Sequence, residues 1–100
     1  MQFIVFGYDG ADEGALARRM AVREAHLKLF REMHAKGVFL FGSALLAEDG
    51  KMVGSMIVCD FASRTELEEN WLNTEPYIQG NVWQKIEVHR AQVPPFLVEK

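Results

Sequence analysis

Two apolar runs, residues 38–47 (VFLFGSALLA) and 52–61 (MVGSMIVCDF), flank Glu48-Asp49-Gly50-Lys51, and this segment restricts the fold more than any other. Asp-Gly between runs rich in aliphatic and aromatic residues signals a hairpin, because glycine accepts the positive φ that a tight turn demands. Two antiparallel strands are predicted. Successive side chains of a strand point to opposite faces, so a sheet with one wet face alternates apolar and polar residues. These runs do not alternate: Val38, Leu40 and Ala44 are expected on one side, and Phe39, Phe41 and Leu45 on the other. Met52, Met56 and Val58 likewise oppose Val53, Ile57 and Cys59. Both faces of the sheet should therefore be covered.

The rest of the chain supplies one cover. Residues 2–8 (QFIVFGY) read as a strand closed by Asp9-Gly10, with Phe3 and Val5 set against Ile4 and Phe6. Strong helix formers fill the stretch from Asp12 to Lys36, and Gly37 stands where a left-handed residue would end a helix. At about 100° per residue, Leu16, Met20, Leu27, Phe30 and His34 fall on one apolar stripe. Ser63 and Glu66 form a capping box that opens a second helix running to about Asn73. Glu75-Pro76-Tyr77 interrupts it, residues 78–81 make a turn, and residues 82–93 give a last strand, stopped by Pro94-Pro95. The order βαββαβ is the split βαβ arrangement, an α+β ferredoxin-like fold with a four-stranded antiparallel sheet and two helices on one face. Residues 1–100 fit one domain of this kind. Two helices cannot cover both faces, so the outer apolar face is expected to meet a second copy in a sheet-on-sheet homodimer.

Charge and composition narrow the function. With 14 acidic and 11 basic residues the chain carries a formal charge of −3, which argues against nucleic acid as a partner. No apolar run approaches the ~20 residues that span a bilayer, and the N-terminus has no leader pattern, so a cytoplasmic protein without a membrane partner is expected. The single Cys59 sits within a strand and reads as a buried, inert thiol. No His or Cys cluster has metal-ligand spacing, so no metal site is expected.

The candidate chemistry lies on the first helix. Arg23 falls at the centre of the stripe, with Arg19 and His26 about a quarter-turn to the side. A cation on that face needs a carboxylate, carbonyls or a ligand. His26, one turn beyond Arg23, is the candidate acid/base. His34 is better read as a satisfied helix-end histidine, and His89 has no nearby partner in sequence. The topology brings Asp9, Asp12 and Glu75 to the edge of the sheet where the first helix begins. Gly42-Ser43 and Gly54-Ser55 interrupt bulky strands and leave room for a small molecule, or for a bulge or close packing.

These residues resemble the YciI-like (YCII-domain) family, related to the dimeric α/β-barrel group that includes muconolactone isomerases. The resemblance rests on FGYD at the end of the first strand, Val22-Arg-Glu-Ala-His-Leu27, Gly42, Gly54-Ser55, and Glu75-Pro76-Tyr77 with Gly80 and Val82. It implies a dimeric α/β barrel with a His/Asp-centred site and, for at least one member, dehydrochlorination of a chlorinated hydroxyhydroquinone. By position the family histidine is His26 and the arginine Arg23, while the usual Asp-Pro-Tyr has become Glu75-Pro76-Tyr77. The expectation is a cofactor-free lyase of aromatic degradation. His26 would move a proton, Asp9 would hold its ring, with Glu75 second, and Arg23, Ser43, Ser55 and Tyr77 would bind substrate. A non-catalytic ligand-binding protein and a muconolactone-isomerase-like enzyme remain alternatives.

Overall fold

A computed structural model describes residues 1–98; Glu99 and Lys100, the end of the expected domain, lie outside the described residues. The strands are β1 (Gln2–Asp9), β2 (Phe39–Leu46), β3 (Met52–Asp60) and β4 (Trp83–Ala91). The α-helices are α1 (Ala15–Ala35), α2 (Arg64–Asn70) and the single turn α3 (Pro76–Gln79), with 3-10 turns at Leu72–Thr74 and Pro95–Leu97. The four strands form one antiparallel sheet in the order β2-β3-β1-β4, the ferredoxin-like arrangement predicted from the element order.

Local chemistry sets the boundaries. Gly50 turns the β2–β3 hairpin at φ +88. Gly37, at φ +77, closes α1 with Val38 N donating to Met33 O and Gly37 N to His34 O, a Schellman ending. Ser63 caps α2 by accepting from Glu66 N. α2 stops at Asn70 rather than near Asn73 because Trp71 leaves helical geometry (φ −138, ψ −70) and is buried completely. α1 begins three residues later than expected, since Asp12 forms a turn of its own by accepting from Gly14 N.

Two expectations about faces need correction. Phe39 pairs with Cys59 but Phe41 with Val58, so Leu40 is an extra residue and the bulge sends the two phenylalanines to opposite faces. On α1 the inward residues are Ala15, Arg19 and His26, with Val22, Leu29, Phe30 and Met33 packed against the core, whereas Met20 is 50% exposed. The helix is rotated from its most apolar stripe because the polar groups on its inner face find buried partners.

The core between helices and sheet is strongly aromatic: Phe3, Phe39, Phe61, Trp71, Tyr77 and Trp83 are all buried. Gly7 admits Trp83 against β1, for a Cβ there would stand 2.2 Å from the indole. The register places Ile4, Phe6, Phe41, Leu45, Met56 and Val58 on the other face, with Phe41 64% exposed.

Candidate active site

Arg19 and His26 are seven residues apart, two turns of α1, and therefore share its inner face. Each meets a carboxylate. Arg19 Nη1 donates to Asp9 Oδ1 (3.0 Å) and Oδ2 (3.2 Å), and Nη2 donates to Ser55 Oγ (2.8 Å). The side chains of this pair are 3% and 2% exposed, and the guanidinium carbon lies 4.6 Å from the centre of the Tyr77 ring. Burial lifts the Asp9 carboxyl above its ordinary value, against the opposing pull of Arg19.

His26 Nδ1 lies 2.5 Å from Glu75 Oε1, and its ring stacks on Tyr77 with centroids 4.0 Å apart. Glu75 is wholly buried and collects two further donors: Tyr77 N reaches Oε1 (3.2 Å) and Trp71 Nε1 reaches Oε2 (2.6 Å). A carboxylate only accepts, which assigns the proton to Nδ1 and leaves the lone pair of the neutral ring on Nε2. Among the described residues nothing bonds Nε2. The local sequence explains how the carboxylate gets there. Glu75 is the N-cap of α3 and Pro76 its first residue, so the Glu75 side chain folds back over the turn.

Asp9, expected as the partner of His26, instead holds Arg19; Glu75 is the residue that holds His26. The short Asp9 side chain at the end of β1 meets the long guanidinium on the nearer turn of α1. Glu75, one methylene longer than aspartate, reaches from its capping position to imidazole and indole together. Asp12 lies outside the site and forms a surface pair with Arg18 at 2.7 Å.

A groove of about 230 Å³ runs between α1 and the β2–β3 side of the sheet. Arg19, Arg23, His26 and Tyr77 line its polar part, and Leu27 and Met52 its apolar part. Arg23 is half-buried, and among the described residues no carboxylate pairs with it. Burial raises the Tyr77 phenol above its usual range, against Arg19 and Arg23. Ser55 reaches the site through Arg19, while Ser43, expected to bind substrate, borders the groove from β2 but is set by the register on the outer face with Phe41 and Met56, its hydroxyl donating to Ala44 O. The strand glycines provide close packing rather than ligand space: a Cβ on Gly42 would stand 2.5 Å from the Phe30 ring, and one on Gly54 2.6 Å from Gly7 O.

The remaining candidates fall elsewhere. His34 Nδ1 lies 2.9 Å from Phe39 O and ties the end of α1 to β2. His89 sits edge-on to Phe6 on the outer face. Cys59 is buried, and desolvation pushes its thiol up to about 12. The described residues contain no metal-binding group of His, Cys, Asp and Glu, and no helix long and apolar enough to cross a membrane.

The sequence pattern sets Arg19 on the flank of the helix and does not single out Trp71. The seven-residue spacing to His26 could have identified Arg19. For Trp71 the only signal was an indole four residues before a carboxylate.

The profile of the YCII-related domain matches residues 1–92. Protein YciI of Escherichia coli O6:H1 is 28% identical over 94 residues, spanning 88% of this chain and 93% of that protein, and Protein YciI of Shigella flexneri gives the same figures. Among solved structures, 5-chloro-2-hydroxyhydroquinone dehydrochlorinase (TftG) of Burkholderia phenoliruptrix AC1100, in complex with 2,5-dihydroxybenzoquinone, superposes with a TM-score of 0.79 at 21% identity. That match covers 96% of this chain and 98% of the other. Rv0793 of Mycobacterium tuberculosis gives a TM-score of 0.50 at 14% identity, covering 93% and 95% of the two chains.

Proposed function

The chain belongs to the YCII-related domain family, and from that premise we propose that it is a small enzyme that moves protons on a compact, planar, anionic substrate. The observation that carries this reading is His26, fixed through Nδ1 by a buried carboxylate with Nε2 left unbonded on a groove. Nε2 is the base, and the imidazolium it becomes returns the proton as an acid. Arg23, unpaired by any described carboxylate, attracts the charge of a phenolate or carboxylate, while Arg19 and Tyr77 lend positive potential and an aromatic face.

Net loss of HCl from a chlorinated hydroxyhydroquinone uses this equipment. Two hydroxyl protons leave, His26 delivers one proton to the carbon bearing chlorine, and chloride departs with its bonding pair. The ring becomes a hydroxyquinone and no outside oxidant is consumed. The fold shared with TftG, whose bound molecule is a dihydroxybenzoquinone, supports this substrate class.

His26→Ala is expected to lower turnover of 5-chloro-2-hydroxyhydroquinone by about 10²–10⁴. Unchanged turnover would sink the catalytic assignment. Retained ligand affinity with no turnover by the unaltered protein would favour the alternative, a ligand-binding role for the same groove. The exposed apolar outer face is read as the contact with a second copy. Sedimentation should give a dimer, and a stable monomer at micromolar concentration refutes that contact.

A further inference from the structure

Trp71 is buried completely, and its indole N–H has one destination, Glu75 Oε2 at 2.6 Å. The indole is confined by neighbours: Phe39 meets it edge-on at 4.8 Å, Phe61 stacks on it at 6.1 Å, and Trp83 crosses it at 6.4 Å. A donor so confined cannot follow a moving acceptor, so the acceptor must come to it. The other oxygen, Oε1, then takes both His26 Nδ1 and the Tyr77 amide.

We propose that Trp71 is a positioning residue for the His26–Glu75 pair, its N–H fixing the rotation of the carboxylate and thereby the tautomer of His26. Without that N–H, Oε2 stands in the core without a donor, an arrangement costly enough to turn the carboxyl or draw a proton onto it. Either change loosens the acceptor that keeps the proton on Nδ1. The catalytic consequence rests on the proton-transfer reading of His26, whereas the tautomer does not.

The experiment is ¹⁵N imidazole NMR of the full chain at a pH where His26 is neutral, with His26→Ala used for assignment. The unaltered protein should show one ring nitrogen protonated, Nδ1, with Nε2 in its lone-pair form. Trp71→Phe retains an aromatic ring and deletes the N–H; the His26 signals should move toward a mixture of tautomers. Its kcat should fall by roughly ten- to a hundredfold with KM nearly constant. Should the smaller ring unfold the core, benzothienylalanine placed at position 71 keeps the bicyclic shape without the N–H, and the same shift is expected. A His26 spectrum unchanged in a folded variant overturns the proposal. If His26→Ala keeps full turnover, the catalytic reading falls, and the NMR comparison still decides the role of Trp71.

Discussion

Two consecutive arginines at the start of α1 make opposite uses of an aspartate. Arg18 grips Asp12 with two hydrogen bonds, 2.7 and 2.8 Å, at the surface, and its Nε reaches Asn81 O, tying the loop after β1 to the turn before β4. Arg19 grips Asp9 through one nitrogen at 3.0 and 3.2 Å beneath the helix, where both side chains have lost nearly all contact with water. Hydrogen bonding to Arg18 lowers Asp12 to about 2, while burial raises Asp9 despite its arginine. Similar partners thus give opposite shifts, and loss of solvent decides the sign. The exposed pair fastens a loop; the buried one keeps a cation beneath Tyr77 and beside the groove.

Arg19→Met provides the largest break in this comparison. It strands Asp9 without its counter-charge, and chemical denaturation should register a loss of about 3–5 kcal/mol. Arg18→Met should lower the melting temperature only slightly, because water replaces what its partner loses. Equal losses from the two variants would remove the distinction. A smaller effect is expected from pH, followed through the side-chain carboxyl carbons of both aspartates. Asp12 should titrate near 2, and Asp9 above its unfolded value. Asp12 therefore contributes stability above its unfolded value of 3.8 that is lost as pH falls through about 2. Asp9 has the opposite sign: its contribution is present below its unfolded value and lost as pH rises through the folded one. The two terms oppose each other in acid, and an Asp9 midpoint at or below its unfolded value would contradict the dominance of burial.

Much of the architecture was legible in the sequence because it rests on local chemistry. Asp49-Gly50 turned the hairpin, Ser63 capped α2, and Gly37 ended α1. The inner face of α1 was harder to read. An apolar stripe points to the core only when polar residues have nothing to bond there, and here Arg19 and His26 meet Asp9, Ser55 and Glu75 from three other parts of the chain. Leu40 posed a different problem, since one extra residue in β2 reverses the faces beyond it and no residue type announces the bulge. His26 and Glu75 were both visible as candidates, but their pairing depended on reach: a glutamate that caps the next turn while bending toward two aromatic donors.

Glu75 also joins the orientation of His26 to local unfolding. The carboxylate that orients the imidazole is the cap of α3 and receives the Tyr77 amide. An opening that unwinds this single turn frees the amide and releases the histidine in the same event. The exchange rate of one backbone proton, Tyr77 N–H, is therefore a clock for how often the groove loses its oriented imidazole.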